Sequence, residues 1–170
     1  MTSYKKNLLV TGGAGFIGSN FINYIHKKYP NYKIQLLDAL TYAGNLENIS
    51  NNLKSNGHFQ FSHGNVTQPD IVNQLVSDSD IVIHFAAESH VTRSIYDNSL
   101  FFETDVIGTQ VLANAIVNHP VERFIHISSS EVYGTALKAP MSEDHPLNPM
   151  SPYAAAKAGA DRLVYSYVHT

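Results

Sequence analysis

Cysteine is absent from the 170 residues. That excludes disulfides, thiol nucleophiles and cysteine-based zinc sites, and it accords with a reducing, cytoplasmic setting. Charge is scarce too. Only 15% of residues are charged, the net charge is −3, and no basic block stands out. Nothing in that balance points to nucleic acid or to an anionic membrane surface. Long hydrophobic runs are missing near the N-terminus, where Leu8-Leu9-Val10 is soon cut by glycine. Such a run is too short for a signal peptide or a membrane helix. The nine histidines include no HExxH pattern, and neither His84 with His90 nor His58 with His63 shares a helix face, so they read as core or surface residues rather than metal ligands. Internal repeats and low-complexity tracts are lacking as well.

What is present is a core-forming composition, 44% hydrophobic, laid out as alternating strands and helices. Runs rich in Val, Ile and Leu predict buried parallel strands over Asn7–Thr11, Lys33–Asp38, Phe59–His63, Ile81–Ala86 and Arg123–Ser128. Between them lie helical periods. Phe16, Ile17, Phe21, Ile22 and Ile25 predict one apolar stripe, ended by Pro30. Ile71, Val72, Leu75 and Val76 predict another, opened by Pro69. A long helical segment is expected over Asn98–Asn118, stopped by Pro120. Ser151 and Pro152 start a last helix, as N-cap and first helical residue. Repeated βα units imply a doubly wound parallel sheet with strand order 3-2-1-4-5 and ligands at the switch point beside strands 1 and 4. The stretch from Gly134 to Met150 reads as a loop. The sixth strand usual for this arrangement is not seen, and the sequence reads as truncated before it.

The first strand runs into Thr11-Gly12-Gly13-Ala14-Gly15-Phe16-Ile17-Gly18. Strand, glycine turn and helix in that order make a pyrophosphate-binding corner. Gly13 is expected to make the sharp turn, Gly15 to admit the phosphates, and Gly18 to let helix and strand pack closely. The helix N-terminus adds free N–H groups and a partial positive charge. Asp38 ends the second strand, 20 residues after Gly18, where a carboxylate accepts from adenosine ribose hydroxyls. No Arg or Lys follows it to hold a 2′-phosphate, which favours NAD over NADP.

Tyr153 and Lys157 stand four residues apart near the start of the last helix, so they share a face. A phenol that titrates near 10 when isolated is turned into a base by a neighbouring ammonium and a cationic nicotinamide. By itself such a pair is as readily structural. Ser128-Ser129-Ser130-Glu131 follows the fifth strand, where a hydroxyl can hold a sugar hydroxyl and a carboxylate can take a proton; capping a loop is the plainer role for Glu131.

The glycine corner with Tyr153-x-x-x-Lys157 resembles the extended short-chain dehydrogenase/reductases, a Rossmann-fold group. Asp38-Ala39-Leu40-Thr41-Tyr42-Ala43-Gly44-Asn45-Leu46, His84-Phe85-Ala86-Ala87-Glu88-Ser89-His90-Val91 and Glu131-Val132-Tyr133-Gly134 narrow the resemblance to nucleotide-sugar 4,6-dehydratases of the dTDP-glucose type. It implies a redox-neutral dehydration of an NDP-hexose with tightly held NAD. Tyr153 would take the C4 hydroxyl proton, Lys157 would support it, Ser129 would hold the sugar, and Glu131 would remove the C5 proton before water leaves from C6. The resemblance assigns the cofactor to Gly12, Gly15, Phe16, Ile17, Gly18, Asp38, Asn65, Val66, Ala86, Tyr153 and Lys157, and the substrate to Ser89, Ser129 and Glu131. It also implies a homodimer through the two long helices, and a C-terminal substrate domain that these residues do not include, so that residues 1–170 alone would bind NAD but turn over little.

The sequence departs from the family pattern at Ser130, where an Asp usually protonates the leaving hydroxyl, at Thr92 for Asp, and at Asn65 for the Asp that contacts adenine. These changes leave dTDP-glucose, UDP-glucose and UDP-N-acetylglucosamine as candidates. Competing readings are an NDP-sugar 4-epimerase, a UDP-glucuronate decarboxylase, and a non-catalytic NAD-binding module.

Overall fold

In a computed structural model, the described residues are 5–170. Contacts divide the chain into two compact units, Met1–Ala86 with Val111–Ile127, and Ala87–Gln110 with Ser128–Thr170.

The first unit holds five parallel strands: β1 (Lys6–Thr11), β2 (Tyr32–Asp38), β3 (Phe59–His63), β4 (Ile81–His84) and β5 (Arg123–His126). Their order is β3-β2-β1-β4-β5, as the alternating pattern predicts. Leu9 pairs with Gln35 on one side and Val82 on the other, which places β1 at the centre. Side chains alternate between the two faces. Leu8, Val10, Ile34, Leu36 and Ile83 enter one core with Ile22 of α1 (Phe16–Lys28). Leu9, Leu37 and Val82 enter the other, with Val72, Leu75 and Val76 of α3 (Pro69–Ser77) and with Leu112 and Ala115 of the helix Gly108–Asn118. Between these lies the short helix α2 (Asn51–Lys54), which seals the first core with Leu53. Each fully buried Leu or Ile contributes about 1.5–3 kcal/mol, so both faces of the sheet hold the fold.

Several expectations are corrected here. β4 and β5 end two residues early, at His84 and His126, although Phe85 and Ile127 still donate to Thr11 and His84 backbone carbonyls. Phe16 and Ile17 are not part of α1's buried stripe: they are 81% and 64% exposed. The buried face of α1 is Gly18, Ser19, Ile22 and His26.

The second unit contains α4 (Val91–Tyr96), α5 (Ser99–Phe101), a π-helical segment Phe102–Ile107, a 3-10 turn Ser130–Tyr133 and α7 (Pro152–His169). The segment Phe102–Ile107 continues into α6 (Gly108–Asn118). The expected long helix therefore exists, but its middle is wound with one extra residue per turn, and α4 precedes it unforeseen. By length and composition Ser99–Asn118 reaches the apolar character of a membrane span. It also buries Thr104, Asp105 and Thr109 and gives Leu112 and Ala115 to the sheet core, the pattern of a core helix. Ser151 caps α7 by accepting from Ala154 N–H at 3.1 Å, and Pro152 occupies the first turn.

Candidate active site

Within the first unit the corner after β1 is made by Gly12, not Gly13. Gly12 has φ +68°, and a Cβ there would lie 2.4 Å from the backbone nitrogen of Ala86. Gly13 instead makes room for Ile22 and Leu36, whose methyl groups would sit 2.5 and 2.6 Å from a Cβ. The close packing expected of Gly18 is present: its Cβ would meet the Gly12 carbonyl at 2.6 Å. Gly15 is open except for that same carbonyl, at 3.3 Å. It caps α1 with no side-chain hydrogen bond, and the first turn holds no acidic residue. The N–H groups at this end of α1 are thus left to an anion, with exposed Phe16 and Ile17 beside them.

Asp38 is 8% exposed and holds two backbone N–H groups. Its Oδ2 accepts from Ala14 N–H at 2.9 Å and its Oδ1 from Leu40 N–H at 2.8 Å, so it ties the glycine corner to the end of β2. Each oxygen keeps a second lone pair. Asp38→Asn turns one acceptor into a donor facing an N–H. We expect a loss of about 1–3 kcal/mol in denaturant unfolding, with weaker dinucleotide binding in a calorimetric titration.

The other sequence-predicted residues of this unit surround the strand ends. Asn65 spends Oδ1 on Thr67 N–H at 3.1 Å, leaving its NH2 as donor. The Val66 side chain is buried in the core, so only its backbone is available. Ala86 lies against Gly12. Thr11 Oγ1 and His84 Nδ1 hydrogen-bond at 2.6 Å, fully buried between β1 and β4.

In the second unit Tyr153 stands in the first turn of α7. Its N–H donates to Ser94 Oγ at 3.0 Å, and its ring meets Phe101 edge-on at 6.2 Å. Ser94 is fully buried and donates to the Val91 carbonyl at 2.6 Å; nothing in the sequence marked it. Lys157 follows one turn later, 4% exposed. Burial lowers its pKa from the ordinary lysine value, and Asp105 and Asp161 oppose that. Ser129 caps the 3-10 turn, accepting from Glu131 N–H at 3.2 Å, while Ser130 and Glu131 are exposed and Ser89 lies exposed before α4. Ser128 Oγ is buried without a partner.

The sequence reading also missed Asp105, in the π-helical segment and 1% exposed. Burial pushes its carboxyl up to about 7, against the pull of Lys157 and of the Glu88 N–H. A signal existed: Thr104, Asp105 and Thr109 interrupt an apolar helix at its buried face.

A family model described as GDP-mannose 4,6 dehydratase matches residues 9–170. The chain belongs to that family. Within the GDP-mannose 4,6 dehydratase family, it is 46% identical over 164 residues to the low-salt glycan biosynthesis protein Agl12 of Haloferax volcanii, covering 96% of this chain and 52% of the relative. It is 45% identical over 166 residues to a dTDP-glucose 4,6-dehydratase of Mycobacterium tuberculosis, covering 96% and 49%. The crystal structure of DesIV, a dTDP-glucose 4,6-dehydratase from Streptomyces venezuelae with NAD bound, superposes with a TM-score of 0.90 at 43% identity, over 96% of this chain and 52% of that one. The chain spans about half the length of the relatives it matches.

Proposed function

We propose that the whole protein is an NAD-retaining nucleotide-sugar 4,6-dehydratase. The reading rests most on Tyr153, Lys157 and Glu131 being present together in a chain 45% identical to a dTDP-glucose 4,6-dehydratase. The residues fit the dinucleotide. The corner is open at Gly15, where a Cβ would meet only the Gly12 carbonyl, at 3.3 Å, the end of α1 lacks an internal cap, and Asp38 retains lone pairs for ribose hydroxyls. When bound, NAD supplies a hydride acceptor for sugar C4 and a donor for C6.

The chain's own residues manage the protons. Tyr153, as phenolate, takes the proton of the C4 hydroxyl as C4 is oxidised, and Lys157 stabilises the phenolate by its charge. The new ketone acidifies C5. Glu131 removes the C5 proton; Ser130, the residue before it, is a poor acid, so the departing C6 hydroxyl takes its proton from Glu131 or from water and leaves as water. Ser129 and Ser89 hold sugar hydroxyls. As C6 is reduced, C5 regains a proton from solvent through Glu131 and Tyr153 releases to solvent the proton it took from the C4 hydroxyl, so the product is an NDP-4-keto-6-deoxyhexose with no net oxidation.

The substrate is dTDP-glucose, UDP-glucose or UDP-N-acetylglucosamine, gripped largely by residues beyond these 170. The exposed Leu100, Phe102 and Ile107 on one helix and Tyr165 and Val168 on α7 are the surface of a homodimer, in the cytoplasm. The test is a panel of these nucleotide-hexoses and GDP-mannose given to the full-length protein, read by mass spectrometry. We expect loss of one water at unchanged total NAD. Inversion at constant mass, loss of CO2, or no product from the whole panel would overturn the reading.

A further inference from the structure

The loop from Gly134 to Met150 joins the 3-10 turn that carries Glu131 to the start of α7, and it has no part in the chemistry above. It is not slack. Asn148 N–H donates to the Val132 carbonyl at 3.0 Å, and Thr135 Oγ1 donates to Met150 Sδ at 3.3 Å. Gly134, at φ +64°, leaves no room for a Cβ against the Asn148 carbonyl. The two ends of the loop thus close on each other beside the turn. One side chain from the middle reaches both the turn and the far side of the loop. His145 meets the Tyr133 ring edge-on at 5.8 Å. Its Nε2 lies 3.1 Å from the Leu137 backbone nitrogen, and its Nδ1 lies 2.9 Å from the Pro146 carbonyl oxygen.

Those two partners decide the tautomer. A backbone N–H only donates and a carbonyl only accepts. Nε2 is therefore the bare nitrogen, accepting from Leu137, and Nδ1 carries the hydrogen given to Pro146. The Nε2–H tautomer would set two N–H groups against each other and leave two lone pairs facing at the other end. An imidazolium has no lone pair for Leu137 at all.

We propose that His145 is a positioning residue: as a neutral imidazole protonated at Nδ1, it latches the loop onto the 3-10 turn and so fixes Glu131 for the C5 proton. The inference rests on the role proposed for Glu131. The turn is four residues long, and Glu131 on it is exposed. Its local ties are the Ser129 cap on the Glu131 N–H and the Gly134 N–H on the Glu131 carbonyl, both at 3.2 Å. A reacting carboxylate there is held only as well as its support is held, and the latched loop is that support. The titratable groups of the surrounding elements are Tyr133 and exposed Glu131 on the turn, exposed Lys138, Glu143 and Asp144 on the loop, and Tyr153 and Lys157 on α7. The exposed charges are screened by water, and each imidazole nitrogen already has its backbone partner.

The test begins with the ring itself. Full-length protein labelled with nitrogen-15 is recorded by NMR above about pH 8, where an ordinary histidine is neutral, with the His145 signals assigned by their loss in His145→Gln. We expect the Nδ1–H tautomer, against the Nε2–H form usual for histidine in water, and finding the latter would overturn the proposal. Two substitutions then separate the latch from the mere presence of a side chain. His145→Gln offers a carbonyl oxygen where Nε2 stood, so it still accepts from Leu137. His145→Phe keeps a ring against Tyr133 but accepts nothing. In His145→Phe, amide hydrogen exchange should quicken at Leu137 and across residues 130–134, and kcat should fall about 10–100-fold with KM within a few-fold. His145→Gln should stay near the unaltered protein in both. Removal of the C5 proton should become the slow step, so deuterium at C5 of the nucleotide-hexose should slow His145→Phe further. A folded His145→Phe with unchanged exchange in the turn, or one slowed in turnover without any C5 isotope effect, would overturn the proposal. An Nδ1–H tautomer with quickened exchange in His145→Phe, in a protein that turns over no nucleotide-hexose, would uphold the latch and sink the dehydratase reading.

Discussion

Tyr153→Phe is expected to lower kcat of the full-length protein by about 10²–10⁴ while leaving dinucleotide affinity within a few-fold. The structure makes this a clean substitution. The backbone N–H of residue 153 keeps its bond to Ser94, the ring keeps its edge contact with Phe101, and Ser151 still caps α7. Only the phenol oxygen goes. If that oxygen is the base for the C4 hydroxyl, the first proton transfer has no acceptor, and in the proposed scheme no later step compensates, because there Glu131 acts on C5 only after C4 is a ketone. Turnover on the preferred nucleotide-hexose, with a calorimetric NAD titration alongside, gives both numbers. A variant that keeps a tenth or more of the rate would assign the base elsewhere, with Ser129 the next hydroxyl to test. KM should change little, since in the proposed scheme the phenol acts on the reacting proton rather than on ground-state binding.

The sheet was legible in the sequence for a plain reason. β1, β2 and β4 are buried on both faces, so they read as unbroken apolar runs, and Leu8 with Val10 and Leu9 with Leu37 divide between the two cores as a period of two requires. The start of α7 was legible because Ser151 and Pro152 are local signals whose physics needs no tertiary partner. The failures are places where tertiary structure decides. Phe16 and Ile17 fit a helical stripe by spacing, but they sit at the open end of α1, where the expected ligand rather than a protein layer would cover them. α4 is entered through its N-cap His90, whose φ of +108° no propensity anticipates in a non-glycine residue. The π-helical winding answers the burial of Asp105 and Thr104 against α7, and a 3.6-residue period cannot express it. Which glycine turns the corner likewise depends on Ala86, 74 positions further along the chain than Gly12, and spacing alone favoured Gly13.

Gly12→Ala follows from that last point and should be the most damaging single methyl group in the first unit. At φ +68° any residue with a Cβ sits in the left-handed region, at a cost of about 1–2 kcal/mol. The new carbon would then lie 2.4 Å from Ala86 N, 2.5 Å from Ala86 Cα and 2.7 Å from the Phe85 carbonyl carbon. These are backbone atoms leaving β4, and β4 is pinned to β1 along Leu8–Thr11, so no side-chain rotation relieves the clash. Strain of this kind adds about 1–3 kcal/mol, which brings the total to about 3 kcal/mol or more and lowers Tm by about 10 °C for a chain of this size. The corner cannot shift without moving the Gly12 carbonyl against Gly18, so the first turn of α1 moves with it and dinucleotide affinity should fall at least about 100-fold, since a misplaced N-terminus loses several charge-assisted hydrogen bonds at once. Gly57→Ala is the matched control: a Cβ there meets nothing within 4 Å, and its Tm and NAD affinity should stay near those of the unaltered protein. Equal behaviour of the two variants in melting and NAD titration would mean that the Gly12 corner is not what positions α1 for the phosphates.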